Sequence, residues 1–188
     1  MLQGEGHREI AGDLAQTEDI HRIADAAGPL HGVVHNAGIQ RLTPIKLVSE
    51  KSLYESTSIN YFAPILLTQR LLYRNSIDTG GSIVFMASTA AHIGTPGVGI
   101  YSSQKAALLG LVRCLALEQA KRRVRVNCLS PSAVETPLWD AAQLEQQRAR
   151  HPLGLGTPDD VANATIYLLS DASRWVTGTT LVMDGGAM

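Results

Sequence analysis

The chain is poor in aromatic residues, 5% in all, and it has only two cysteines. Cys114 and Cys128 do not form a C-x-x-C pair, so they read as buried thiols of a reducing compartment and not as a redox or metal site. No metal site is read from the sequence. There is no excess of one charge: 16 Lys and Arg stand against 17 Asp and Glu, for a net charge of -1. Without a basic stripe, nucleic acid and an anionic membrane are not expected partners. No apolar run approaches the length of a membrane-spanning helix. Met1 opens onto Gln3, Glu5, His7 and Arg8, which is no secretory leader, so a cytoplasmic location is expected. Repeats, low-complexity tracts and linkers are also absent.

What is present is an ordinary globular composition, 45% hydrophobic and 18% charged, in 188 residues. That is enough for one domain, residues 1–188, with a sizeable core. Strand-like and helix-like segments alternate, which predicts a parallel sheet covered on both faces. Glu9–Leu14 reads as the end of a short strand. Thr17–Ala27 reads as a helix with Thr17 as its N-cap and Gly28-Pro29 as its stop. Leu30–His35 is a short apolar strand ending in Asn36-Ala37-Gly38. A long helix is expected from Ser52 to Tyr73, a strand over Ser82–Met86, a second long helix over Tyr101–Lys121 and a strand over Val124–Leu129. Pro137–Arg150 is expected to be helical. Thr157-Pro158-Asp159-Asp160 is a strong helix start: a cap, proline at the first helical position and two acids at the positive end of the dipole. Thr180–Met183 is the last strand.

The sharpest chemical feature is Tyr101-Ser-Ser-Gln-Lys105. At a spacing of i, i+4 the phenol and the ammonium share one helical face. A free tyrosine, with a pKa of about 10, is too weak an acid for proton transfer at neutral pH. A cation about 4 Å away stabilises the phenolate by about 4 kcal/mol at an effective dielectric near 20, or roughly three pKa units. Read alone, the pair also fits a helical tyrosine beside a snorkelling lysine. Ser88 ends a strand thirteen residues before Tyr101, and the carboxyl ends of strands in open α/β sheets are where ligands bind. Its hydroxyl suits a substrate carbonyl oxygen, or equally a local backbone group.

Taken together, Gly81-Ser-Ile-Val-Phe-Met-Ala-Ser88 and Tyr101-x-x-x-Lys105 resemble the classical short-chain dehydrogenase/reductase family. Asn36-Ala37-Gly38 is similar to its NAG motif, and Asn60 in Ser58-Ile-Asn-Tyr61 to its helical asparagine. Asn127-Cys-Leu-Ser-Pro131 with Val134-Glu-Thr136-Pro137, then Val176-Thr-Gly178 and Val182-Met-Asp184-Gly-Gly186, resemble its later signatures. The resemblance runs over residues 13–186 and implies a Rossmann-like doubly wound α/β fold. It implies an NAD(P)-dependent oxidoreductase, closest in style to 3-oxoacyl-carrier-protein reductases, that moves hydride between NAD or NADP and a carbonyl or secondary alcohol substrate. Tyr101 would be the general acid or base, Lys105 its partner and a ligand of the nicotinamide ribose, and Ser88 the group that orients the substrate oxygen. Asn60 would hold a water relay to Lys105 through its main-chain carbonyl. Asp13 and Leu14 would meet the adenine, Asn36, Ala37 and Gly38 would line the cofactor path, and Val134 and Thr136 would contact the carboxamide. Other readings stand beside these: Asp13 as a cap near the Thr17 helix, Asn36-Ala-Gly38 as a tight turn, Asn60 as a polar residue that bends its helix.

The sequence departs from the family in two places. Ser132 stands where glycine usually follows Pro131. No strand–TGxxxGxG–helix unit is present either: Gly4-Glu5-Gly6 has no strand before it, and Gly94-Thr-Pro-Gly97-Val-Gly99 lies between Ser88 and Tyr101 and reads as a substrate-side loop. By the family's layout the N-terminal strands of the sheet are missing. Either this sequence begins downstream of the protein's start, or a partner surface covers the gap and the chain is a non-catalytic binding or oligomer-partner protein with weak cofactor binding. NAD and NADP cannot be told apart without that region. Substrate specificity is expected in Gly94–Gly99 and in a lid over Leu138–Leu155, where Leu138, Trp139 and Leu144 either form an apolar wall or pack the lid's own helix. The two long helices resemble the pair through which family members dimerise, so a homo-oligomer, dimer or tetramer, is implied.

Overall fold

In the computed structural model, which describes residues 6–137 and 139–188, four parallel strands form one sheet in the order β1 (Leu30–His35), β2 (Ile77–Met86), β3 (Arg125–Pro131) and β4 (Thr180–Met183). Helix α1 (Thr17–Ala26) leads into β1, and the later helices cross between the strands: α2 (Glu50–Thr57) and α3 (Ala63–Tyr73), α4 (Gly99–Gln119), α5 (Ala141–Arg148) and α6 (Pro158–Leu169). The alternating strands and helices foreseen from sequence are therefore present as a Rossmann-like layered α/β fold. No helix among the described residues is long and apolar enough to cross a membrane.

The strand period of two assigns the faces. Ile83 and Phe85 of β2 and Val126 and Cys128 of β3 are fully buried in a core with Ala24 of α1, Leu71 of α3 and Leu108 and Val112 of α4. The alternate residues Val84, Met86 and Leu129 pack on Leu168 of α6. That second face carries polar groups as well. Arg125, only 8% exposed, points its guanidinium at the C-terminus of α6, bonding the Leu168 carbonyl at 2.6 Å, the Ser170 carbonyl at 3.2 Å and the Ser173 hydroxyl at 2.5 Å. Ser82 donates to the same Leu168 carbonyl at 2.8 Å, and Asn127 Nδ2 to the Val176 carbonyl at 3.0 Å. These donors satisfy carbonyls that a helix end leaves without partners.

Several expectations are corrected. Residues 9–14 form no strand: a strand needs a ladder partner, and this segment pairs with none among the described residues. Its backbone is held locally, with the Asp13 N–H donating to Asp19 at 2.7 Å and the Ala11 carbonyl accepting from Arg22 at 2.6 Å. Gln16, not Thr17, is the N-cap of α1. The expected long helix runs from Glu50 but changes pitch at Ser58–Phe62, one π-helical turn. β2 begins at Ile77, because Asp78–Gly81 bulges out of the ladder before Ser82, with Gly80 at φ 86°. The 137–150 segment becomes helical only at Ala141, where Asp140 and Gln143 form a capping box. Leu117 projects from α4 at 80% exposure, off the buried stripe, and Cys114 is exposed on the same helix while Cys128 is buried. The start of α6 is as read: Thr157 caps, Pro158 leads and Asp160 completes a capping box.

Arg125→Ala is expected to lower unfolding stability by about 2–4 kcal/mol, because buried acceptors lose charge-assisted donors. Urea denaturation followed by circular dichroism measures this, and a loss within 0.5 kcal/mol would show that water replaces the guanidinium without cost.

Candidate active site

The carboxyl ends of all four strands open into one cavity of about 500 Å³. Asn36 and Gly38 enter it after β1, Met86 to Ala90 at the end of β2, Pro131 to Val134 after β3, and Ala187 and Met188 after β4. Tyr101 and Lys105 come from the first turns of α4, and Trp139, Gln147, Arg150 and His151 from around α5. Of the residues singled out in the sequence, Asn36, Gly38, Ser88, Tyr101, Lys105, Val134 and Thr136 therefore share one wall system. Asn60 lies just behind it. Ala37 links Asn36 to Gly38 without lining the cavity. Asp13 and Leu14 lie outside it: Asp13 is exposed and accepts from the Ala15 N–H at 2.9 Å, and Leu14 lines a separate small cleft against Phe62 and Leu66. In the lid, Trp139 lines the cavity and Leu144 does not, while Leu138 lies outside the described residues, as do Gly4 and Glu5.

Lys105 is 4% exposed, and its Nζ donates to the Met86 carbonyl at 2.6 Å while standing 5.7 Å from the centre of the Tyr101 ring. Burial pulls its pKa from 10.5 down to about 8. The phenol departs from the expected pattern. Its pKa is raised, because burial outweighs the hydrogen bond from Ser88. Ser88 also accepts from the Ala90 N–H at 3.2 Å, which fixes its hydroxyl at the strand end. The backbone role read for that serine is present, and its hydroxyl also reaches Tyr101.

Asn60 is 1% exposed within the π turn. Its Oδ1 accepts from the Ile39 N–H and its Nδ2 donates to the Ile39 carbonyl, both at 2.8 Å, so one amide clamps the chain directly after Asn36–Gly38. Nδ2 also donates to Gln104 Oε1 at 2.7 Å, and Gln104 Nε2 reaches Ser56 and Thr57 at 3.0 Å each. Sequence reasoning missed Gln104. Its only signal was a long polar side chain one residue before Lys105 on a helix whose neighbours are small.

The donor set fits the ribose and nicotinamide end of a dinucleotide. A Cβ on Gly38 would stand 3.2 Å from Asn60 Oδ1 and 3.4 Å from Lys105 Nζ, so the glycine keeps open the space beside the ammonium. The glycine-rich segment that adjoins this cavity among the described residues is Gly94–Gly99, which leads into α4 between Ser88 and Tyr101 and puts Thr95 and Val98 in the wall.

The buried charge of Lys105 has a measurable cost. Its folded pKa lies below the unfolded one, so the unfolded chain binds more protons between about pH 8 and 10.5, and stability rises with pH through that window. Below pH 8 the full cost, about 3 kcal/mol, is present. Lys105→Met is expected to raise stability at pH 7 by about 1–2 kcal/mol after the lost bond to Met86 is counted, and to flatten the rise above pH 8. Denaturant midpoints at pH 7 and pH 10 check both, and a less stable variant at pH 7 would mean the ammonium is not destabilising.

A family model described as Enoyl-(Acyl carrier protein) reductase matches residues 3–188. Dehydrogenase/reductase SDR family member 4 of Homo sapiens is 35% identical over 202 residues, which cover 98% of this chain and 71% of the relative. The crystal structure of a short chain dehydrogenase family protein from Francisella tularensis subsp. tularensis SCHU S4 matches with a TM-score of 0.93 at 28% identity, over 99% of this chain and 83% of that one. The structure of 4-hydroxyisoleucine dehydrogenase complexed with NADH matches with a TM-score of 0.86 at 28% identity, over 94% and 77% of the two chains. Strand order, the strand-end cavity and these matches agree, and the chain belongs to the short-chain dehydrogenase/reductase family of oxidoreductases.

Proposed function

We propose that this protein interconverts a carbonyl compound and its secondary alcohol with NAD or NADP, and that Tyr101, Ser88, Lys105 and Asn60 handle the proton. The observation that carries the reading is the convergence of Ser88, Tyr101 and Lys105 on one cavity at the carboxyl ends of the strands. When bound, the cofactor supplies or accepts the hydride at its nicotinamide ring. Tyr101 Oη gives its proton to the carbonyl oxygen in reduction and takes it back in oxidation. Ser88 Oγ–H donates to the same oxygen and holds it against the phenol. Lys105 Nζ keeps donor capacity beyond its bond to Met86, enough to reach ribose hydroxyls beside Gly38. The main-chain carbonyl of Asn60, in a turn where the Ala63 N–H bonds back to Ser58, is assigned to a water that leads protons to Lys105. Asn36, Ala37 and Gly38 form the cofactor path with Val134 and Thr136 beside the carboxamide, and Asp13 and Leu14 are assigned to the adenine end.

Residues 1–188 are read as one domain. The copies are assigned to a homo-oligomer built on the α2–α3 and α4 surfaces, where Tyr54, Tyr73 and Leu117 are 66%, 75% and 80% exposed. Free thiols at Cys114 and Cys128 suit a cytoplasmic location.

Tyr101→Phe is expected to lower kcat by about 10²–10⁴ with the fold intact, read as carbonyl-dependent oxidation of NADH or NADPH. Unchanged turnover would remove this phenol from the chemistry. Because burial raises the phenol's pKa, alcohol oxidation should quicken with rising pH, and Ser88→Ala should push that profile to still higher pH by removing the hydrogen bond that lowers it. For the assembly, Leu117→Glu should shift the light-scattering mass to a smaller species, and a wild-type monomer would end that assignment.

A further inference from the structure

The charged side chains that line the active-site cavity are Lys105 and Arg150, and no aspartate or glutamate lines it. The two cations differ in their surroundings. Lys105 is buried and spends a hydrogen bond on Met86. Arg150 is exposed to the cavity, and its guanidinium has no partner among the described residues. The acids nearby in sequence are engaged by another arginine: Arg148 pairs with Glu135 at 2.7 Å and with Glu145 at 3.8 Å. Arg150 is thus a cation held at the rim of a mixed polar and apolar wall, with Gln147 and Trp139 beside it.

It is also held firmly, although α5 itself has no buried residue. The next residue, His151, is 5% exposed. Its Nδ1 lies 2.6 Å from the Gln147 carbonyl, which can only accept, so Nδ1 carries a proton, and Nε2 is hydrogen-bonded to the Ser132 hydroxyl at 2.8 Å. Ser132 follows β3, and its own N–H donates to the Met183 carbonyl of β4 at 2.8 Å. Two residues further along, the Leu153 N–H donates to the Gly185 carbonyl at 3.0 Å. The backbone that directly follows Arg150 is therefore fastened to the ends of β3 and β4. Serine in place of the glycine expected at position 132 supplies the hydroxyl of this fastening.

Position in the sheet separates this cation from the ribose end. Gly38 follows β1, and Lys105 bonds the last residue of β2. The Arg150 turn hangs from β3 and β4, which places its anchor one to three strand spacings away, about 5–15 Å. Ser88, which follows β2, and Tyr101 line the same cavity. We propose that Arg150 is the specificity-determining anchor for an acidic group on the substrate, and that the substrate is an oxo acid or hydroxy acid whose carboxylate lies several bonds from the reacting carbon. This rests on the oxidoreductase reading above. The reacting carbon would sit at Ser88 and Tyr101, and the carboxylate would meet the planar donor fork of the guanidinium. His151 and Ser132 act through Arg150 as positioning residues.

Two measurements test this. In the first, 4-oxopentanoate and 5-oxohexanoate are compared with their methyl esters as substrates. The acid is expected to be favoured by at least about tenfold in kcat/KM, mainly through KM, and Arg150→Gln is expected to collapse the ratio toward one, with partial recovery in Arg150→Lys. A ratio unmoved by Arg150→Gln, or loss of cofactor affinity in that variant in place of acid affinity, overturns the proposal, the latter by assigning the arginine to a cofactor phosphate. The second measurement needs no turnover. In a Trp175→Phe background Trp139 is the only tryptophan, and its fluorescence is titrated with 4-oxopentanoate and with the methyl ester. A saturable response to the acid that disappears with Arg150→Gln supports the anchor. An equal response in that variant, or none beyond that of the ester, overturns it. Tyr101→Phe separates the two readings, since it should end turnover and leave the acid titration in place, whereas turnover that survives Tyr101→Phe counts against the oxidoreductase roles alone.

Discussion

Everything in the site leans on a buried ammonium. Lys105 sits at 4% exposure, one helical turn beyond Tyr101, and reaches across to the last carbonyl of β2. That contact ties the first turns of α4, which carry Tyr101, to the end of β2, while Leu108 and Val112 seat the rest of the helix on the sheet. A methionine of similar length would pack there at lower cost in desolvation. The buried charge thus costs stability at the very site where the proposed chemistry would use it, and stability is commonly spent at functional sites. With a pKa lowered to about 8, the amine can lose its proton close to neutral pH, as the proposed proton relay would require of it.

Around that charge the structure builds a neutral hydrogen-bonded frame. Asn60 holds both backbone groups of Ile39, and Gln104 ties Asn60 to Ser56 and Thr57. The frame joins three pieces of chain that are far apart in sequence: the turn after β1, the π turn between α2 and α3, and the start of α4. A π turn adds a residue to the helical circuit and re-aims one side chain, and here the re-aimed residue is Asn60. Every polar atom in the network has a partner, as a low-dielectric setting demands. The same network explains why Gly38 has no side chain, since a Cβ would crowd both Asn60 and Lys105.

The parts legible in the sequence were those set by local periodicity. The i, i+4 spacing of Tyr101 and Lys105 put both on one side of a helix, the apolar run before Ser88 marked a strand end, and Thr157-Pro158-Asp159-Asp160 announced a helix that begins where expected. What escaped was set by distance along the chain. Arg125 looks like any surface arginine until α6 brings its C-terminus over it, and Gln104 and Asn60 are 44 residues apart. Glu9–Leu14 has the composition of a strand, yet a strand exists only where another backbone pairs with it. The acidity expected of Tyr101 failed for a related reason. Spacing gives the neighbour but not the burial, and here burial of the phenol outweighs the charge 5.7 Å from its ring.

The two halves of the cavity are attached to the sheet in different ways, and this separates chemistry from selectivity. Ser88, Tyr101 and Lys105 belong to β2 and α4, whose side chains run into the large core, so a change there disturbs packing as well as reaction. The lid residues Trp139, Gln147 and Arg150 belong to a segment whose short helix buries nothing, and the fastening between that segment and the sheet is His151 with its neighbouring turn. Such a segment can exchange side chains at little cost in stability, while the His151–Ser132 bond keeps the exchanged side chains at a fixed distance from the reacting carbon. A rigid root with a permissive outer face is what a fold needs if the proposed proton-transfer site is to serve many alcohols and carbonyls. On that argument the serine at position 132 is coupled to the histidine at 151: replacing the serine alone would leave a buried imidazole nitrogen without its partner, while replacing both would loosen the segment and leave the phenol, the amine and the strand-end hydroxyl where they are.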